Sequence, residues 1–348
     1  MADHSPKVSN GMFPWALHGH GNLTKALGAG QLAHAYLLVG LPQVGKTTMA
    51  MQLAQAVNCL ENDPPCGHCQ QCQRIQRHLH PDVQVVAPAR DERTGRQRTE
   101  ISIDQVRSLE HAAALGPYEG KSLVFIVDGA ERLSQEAANA LLKTLEEPPA
   151  RVLMLLVTSE EERLLPTIRS RCHRLEVRPL SEDTIADVLT REHSVSPEDA
   201  RLLARLSGGR LGWALSAATD PKVLEERQRR ADNLLEVMAG GLERRFQFSQ
   251  ELAQQFGRDG ATALGVLEFW LLWWRDVLML KEQTPDLVFN VDWRQTLEET
   301  ASRFTEAQIA PIIHKLRETM ERLEQNANAR MALDVFMLSL PSSGVTTA

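Results

Sequence analysis

Three runs of consecutive apolar residues stand out in the first half of the chain: Ala35 to Val39, Leu123 to Val127 and Val152 to Val157. They are continuous rather than alternating, which predicts strands covered on both faces, as in a parallel sheet flanked by helices. An amphipathic stretch from Lys46 to about Asn58 follows the first run. Between the second and third, Ser134 offers an N-cap oxygen, Ala138, Leu141, Leu142 and Leu145 keep the helical period, and Pro148-Pro149 ends it. Past about Val177 the strand signature stops. Pro179 to Glu182 and Ser194 to Pro197 read as helix starts, and Ser207-Gly208-Gly209 reads as a break. From about Asp220 onward the chain reads as helical, including Val266 to Lys281 and Ala307 to Leu340. The pattern predicts an α/β parallel-sheet domain over 1–178, a small helical domain over 179–219 and an all-α domain over 220–348.

Composition narrows the class. The 348 residues are 43% hydrophobic and 24% charged, which suits folded domains and excludes wholesale disorder. With 38 Lys plus Arg against 45 Asp plus Glu, the net charge is −7, so a globally basic nucleic-acid coat is excluded although a local basic face is not. No apolar run approaches the roughly 18–20 residues that cross a bilayer. The opening residues, Met1 to Trp15, lack a basic region followed by an apolar stretch, so a cytoplasmic protein is expected.

Gly40-Leu41-Pro42-Gln43-Val44-Gly45-Lys46-Thr47 fits the phosphate-loop pattern G-x-x-x-x-G-K-[ST] at every fixed position, between a predicted strand and a predicted helix. In such a loop backbone N–H groups close around an anion and the new helix, continuing through Thr48, adds its positive end. Lys46 is then expected on the β/γ-phosphates of ATP or ADP, with the Thr47 hydroxyl on Mg²⁺. Asp128, closing the second strand run, is the expected partner of the metal. The next residue is Gly129, and Glu131 lies three past Asp128, on a stretch that need not face the phosphates. The bland readings are a relic loop and a strand-end turn residue.

Four of the five cysteines, Cys59, Cys66, Cys69 and Cys72, fall in one short segment, and Cys172 stands apart. In a reducing compartment this argues for a metal rather than a disulfide framework. Four thiolates suit a tetrahedral structural Zn²⁺, and Pro64, Pro65 and Gly67 allow the tight turns around it. The alternatives are an iron–sulfur cluster, for which a closely spaced fourth Cys followed by Pro is missing, and unliganded thiols. His68, His78 and His80 read as surface residues, since four thiolates already fill the shell. Cys172 reads as a small buried residue rather than a nucleophile.

Together with Asn139 to Pro149 (NALLKTLEEPP) and Ser170-Arg171-Cys172, these motifs in this order resemble the bacterial DNA polymerase III clamp-loader subunits of the AAA+ class. The resemblance covers essentially the whole chain. Trp270-Leu271-Leu272-Trp273-Trp274-Arg275-Asp276 and Asn326 to Arg330 are similar to the helical collar through which such subunits form a ring. The resemblance implies an AAA+ sheet domain carrying a zinc-module insertion at about 59–72, a helical lid domain and a collar domain. It is nearer to the delta-prime kind than to the gamma/tau motors: Gly129 replaces the motors' water-orienting Glu, and Gly212 stands where their second sensor Arg would be. Arg171 would then reach the γ-phosphate held by a neighbouring subunit, as an arginine finger in trans. The implied partners are gamma/tau and delta subunits, with the sliding clamp and primed DNA engaged through the complex. Thr158 and Ser159 fall in the region of the first sensor, and the sequence does not distinguish which faces a phosphate.

Plainer readings stand beside these. Trp270, Trp273, Trp274 and Val277 have the spacing of a packed stripe rather than a base-stacking surface. Glu225 to Arg230 mixes both signs and reads as a solvated helix face, and Arg169, Arg171 and Arg174 could be a solvated basic edge. Two rival functions are an autonomous motor-type ATPase using Glu131 as base and a zinc-dependent nucleic-acid adaptor.

Overall fold

A computed structural model describes residues 21–89, 100–325 and 327–341. The opening residues read above for a leader, and Asn326 of the collar motif, lie outside the described residues. The chain divides into two units, one of Met1–Leu180 with Arg210–Gly212 and one of Ser181–Gly209 with Trp213–Ala348.

The first unit is built on strands β1 (Ala35–Val39), β2 (Val83–Val86), β3 (Leu123–Asp128), β4 (Val152–Thr158) and β5 (His173–Glu176). They form one five-stranded, all-parallel sheet in the order β2-β3-β4-β1-β5. The expected strands are the three central ones, and their side chains are buried almost throughout. The two edge strands, half-buried or exposed, carry no continuous apolar run and were not anticipated. Helices α1 (Gly21–Gly28), α2 (Lys46–Asn58), α3 (Gln70–Gln76), α4 (Ile103–Leu115), α5 (Gln135–Glu146) and α6 (Pro166–Arg169) complete the unit.

Alternation along the strands supplies two cores. Leu37, Phe125, Met154 and Leu156 pack with Leu109 of α4 and Leu141 and Leu145 of α5. Leu38, Val124, Ile126 and Leu155 pack with Met49 and Leu53 of α2. Each such fully buried side chain contributes about 1.5–3 kcal/mol. The pairings Val39↔Thr158 and Asp128↔Val157 align the carboxyl ends of β1, β4 and β3, and a parallel α/β sheet binds its ligands at that edge.

The second unit is helical: α7 (Glu182–His193), α8 (Pro197–Ser207), α9 (Leu211–Thr219, whose first residues belong to the first unit), α10 (Pro221–Ala239), α11 (Leu242–Arg258), α12 (Gly260–Lys281), α13 (Arg294–Arg303), α14 (Glu306–Glu324) and α15 (Ala329–Ser339). The starts of α7 and α8 are capped as read, Ser181 accepting from the Thr184 N–H and Ser196 from the Asp199 N–H. The last expected helix is in fact two, α14 and α15, and short turns at Pro285–Leu287 and Val291–Trp293 also interrupt the helical run.

Trp270, Trp273, Trp274 and Val277 are at most 1% exposed, the core stripe that their spacing predicts. Phe248 stacks on Trp270 with ring centroids 5.0 Å apart. Buried Asp276 ties α12 to the following loop, accepting from the Phe289 and Asn290 N–H groups at 3.1 and 2.8 Å. The solvated-face reading fails at Arg227. That residue is buried, forks onto Asp292 at 2.5 and 3.0 Å, and lies 4.1 Å over the Trp293 ring. Burying a guanidinium demands a paired carboxylate, and here one comes from far along the chain. No helix among the described residues is long and apolar enough to cross a membrane.

Candidate nucleotide site and cysteine centre

β1 runs into the phosphate loop, and Gly45, at φ 100°, makes the left-handed turn from which α2 starts. Pro42, Gln43, Gly45, Lys46, Thr47 and Thr48 line a cavity of about 430 Å³ at the carboxyl edge of the sheet. Val44 points the other way, fully buried in the core, so only its backbone is available to a ligand. Gly40 and Leu41 offer carbonyls: Lys46 Nζ donates to them at 2.8 and 2.7 Å, and to Ser159 Oγ at 2.9 Å. Ser159 rather than Thr158 therefore faces the lysine, while the Thr158 hydroxyl accepts from the Glu160 N–H at 3.0 Å. Burial pushes the Lys46 ammonium below the ordinary lysine value, and the carboxylates of Glu131 and Asp128 act against that shift.

Thr47 Oγ1 donates to Asp128 Oδ2 at 3.1 Å, so the hydroxyl and the carboxylate expected at Mg²⁺ are side by side. A buried ammonium, a helix N-terminus and an acid–hydroxyl pair suit a polyphosphate with its divalent cation. Glu131, expected to be able to face elsewhere, lines the same cavity, as does Gly212. The Gly212 N–H donates to the Gln43 carbonyl at 2.9 Å, and a Cβ there would lie 2.9 Å from that oxygen. This backbone approach is why no side chain stands at position 212.

The sulfurs of Cys59, Cys66, Cys69 and Cys72 all lie within 4.8 Å of one another. A tetrahedral ion with metal–sulfur bonds of about 2.3 Å needs edges near 3.8 Å, so the set can hold one with small adjustment. Backbone N–H groups of Cys66, Cys69 and Cys72 point at the sulfurs of Cys59, Cys66 and Cys69 at 3.5, 3.3 and 3.5 Å, the donors a thiolate cluster requires. At Cys69 burial pushes the thiol up, but N–H donors from Leu60 and Cys72 outweigh it and bring the pKa down to about 6. Burial raises Cys66 and Cys72. Cys69 caps α3, Gln55 of α2 donates to the Cys72 carbonyl at 2.9 Å, and Lys121 donates to that of Cys59, which fastens the segment to the sheet.

His68 and His78 are exposed, as read, but His80 is not. It is 4% exposed, its Nδ1 accepting from the Asp82 N–H at 3.0 Å, so it belongs to the core of the unit and not to the cysteine set.

Arg171 follows α6 and is absent from the lining of the chain's own cavity. Its guanidinium donates to the Thr167 carbonyl at 3.0 Å and to Glu146 Oε1 at 2.5 Å. Glu146 ends α5, where the helix dipole disfavours a carboxylate and a nearby cation offsets that cost. Arg169 and Arg174 pair likewise with Glu162 and Glu161. Cys172 is half-buried, its thiol pushed up to about 12 by burial.

Comparison with known proteins gives these features a family. The model of the family described as "DNA polymerase III, delta subunit" matches residues 19–181. The DNA polymerase III subunit delta' of Bacillus subtilis is 31% identical over 311 residues, 89% of this chain and 91% of the relative. That of Escherichia coli is 38% identical over 211 residues, 59% of this chain and 60% of the relative. The tau subunit of Salmonella typhimurium is 35% identical over 201 residues, 56% of this chain but 30% of tau. The Bacillus subtilis delta-prime match thus runs nearly end to end, while the tau match covers part of each chain. On that end-to-end similarity to the Bacillus subtilis protein, this chain belongs to the DNA polymerase III delta-prime subunit family.

Proposed function

We propose that the chain is the stationary delta-prime subunit of a ring that loads a sliding clamp onto primed DNA, working in the cytoplasm beside gamma/tau motor subunits and a delta subunit. In that ring Arg171 reaches the nucleotide of a neighbour. The observation that carries this reading is that Arg171 sits on its own acidic partner, Glu146, outside the chain's own phosphate-loop cavity. Gly129 and Gly212, which line that cavity at the positions where the resemblance would put the motors' Glu and Arg, support it. The chain binds ATP or ADP through Gly40 to Thr48, with Thr47 and Asp128 toward Mg²⁺, and turns it over slowly. Zn²⁺ on Cys59, Cys66, Cys69 and Cys72 is structural, its four thiolates leaving no open position for chemistry. The helical part is divided in this reading into a lid (179–219) and a collar (220–348).

A test is to mix the purified chain with gamma/tau, delta and clamp. A complex of defined stoichiometry that loads clamps on primed DNA only when this chain is present is expected; loading that is indifferent to the chain would refute the role. The complete phosphate loop, with Glu131 in its cavity, favours one other reading, an autonomous motor-type ATPase. Brisk DNA-stimulated turnover by the chain alone, abolished by Lys46→Ala, would select it.

A further inference from the structure

Asp128 ends β3, and the residue after it cannot present a side chain to the cavity. Gly129 is at φ 81°, ψ 50°, and its N–H is held by the Val157 carbonyl at 3.0 Å. A residue with a Cβ would be strained in that left-handed conformation. The chain then makes a single tight turn, Ala130–Arg132, closed by the Arg132 N–H on the Gly129 carbonyl at 2.9 Å. That turn puts Glu131 into the lining of the cavity with Lys46, Thr47 and Asp128.

Glu131 Oε2 is buried there and receives no hydrogen bond from the described residues. Arg132 lines the same cavity without bonding to that oxygen, and the protons of Lys46 and Thr47 go elsewhere. An ammonium has three protons, and Lys46 directs its own to Gly40, Leu41 and Ser159. The Thr47 hydroxyl proton goes to Asp128. A buried carboxylate oxygen without a donor is costly, so a donor is expected from whatever fills the cavity. Mg²⁺ bound with phosphates keeps several waters and takes one or two carboxylates, and those waters are strong donors.

We propose that Glu131 is the second carboxylate of the cation site, accepting a hydrogen bond from a cation-bound water, with Asp128 and Thr47 as the first pair. The role is positioning rather than catalytic: Glu131 makes nucleotide affinity depend on the divalent cation. It rests on the reading that this cavity holds a nucleotide.

The test is calorimetric titration of the purified full-length chain with ADP and with ATP, in Mg²⁺ and in EDTA, for wild type, Glu131→Gln and Asp128→Asn. Wild type is expected to bind more tightly in Mg²⁺. Glu131→Gln is expected to cut that enhancement about tenfold, the loss typical of an outer-shell partner, and to bind within about twofold of wild type in EDTA. Matched melting curves for the two proteins establish that the variant is folded. An enhancement equal to wild type in Glu131→Gln, with Asp128→Asn impaired, would overturn the proposal and leave the nucleotide reading standing. Wild type binding neither nucleotide in either buffer would overturn both.

Discussion

Asp82 accepts from the backbone N–H groups of Tyr118, Glu119 and Gly120 at 2.6, 2.8 and 2.6 Å while buried at 2% exposure. Burial pushes its pKa up, but these three donors outweigh it and hold the carboxyl below the ordinary carboxylate value. A depressed acid stabilises the fold at pH above its unfolded value, near 3.9, and that contribution is lost as pH falls through the folded value. Asp82→Asn should therefore lower unfolding stability by about 2–3 kcal/mol at pH 7 and flatten the acid limb of the stability curve, as read by urea melts from pH 7 to 3. An acid limb as steep as in wild type would show that the carboxylate is not the group responsible. Asp82 and Arg227 were not legible in the sequence as buried residues, because their partners lie far along the chain. Arg227 meets Asp292 across 65 positions, and a local charge pattern cannot foresee that. Lys46, Thr47 and Asp128 were legible, since fixed spacing and an apolar strand end define them. The place of Glu131 depended on the left-handed turn at Gly129, which spacing alone does not give.

At the scale of elements, the central strands were readable because burial on both faces forces a continuous apolar run. The edges β2 and β5 were not, since Val83–Val86 and His173–Glu176 each leave side chains in water. The cysteine segment was readable from spacing, but its attachment through Gln55 and Lys121 was not. If the four thiolates hold the proposed ion, a segment whose clustered apolar residues are the cysteines themselves is expected to depend on it for order. Chelating Zn²⁺, or substituting Cys69→Ser, should open residues 59–72 to limited proteolysis while nucleotide affinity, held by a separate loop, changes by less than about twofold. A protease-resistant segment in metal-free protein would contradict this.

At the scale of the molecule, the chain divides into two units between Leu180 and Ser181. Arg210–Gly212 returns to the first unit, because the Gly212 N–H reaches the loop at Gln43. The family follows from similarity along 89% of the chain. The proposed role follows from where the charges sit: Lys46, Thr47 and Asp128 line the chain's own cavity, the proposed nucleotide site, and Arg171 is kept outside it on Glu146. A guanidinium delivered in trans accelerates phosphoryl transfer by about 10³–10⁵. The most direct measurement is single-turnover ATP hydrolysis by the reconstituted ring carrying Arg171→Ala, with assembly checked by gel filtration. One interface should lose about 10³-fold or more in rate while this chain's own nucleotide affinity stays as in wild type. A ring that assembles and hydrolyses at every interface as fast as wild type would contradict the account.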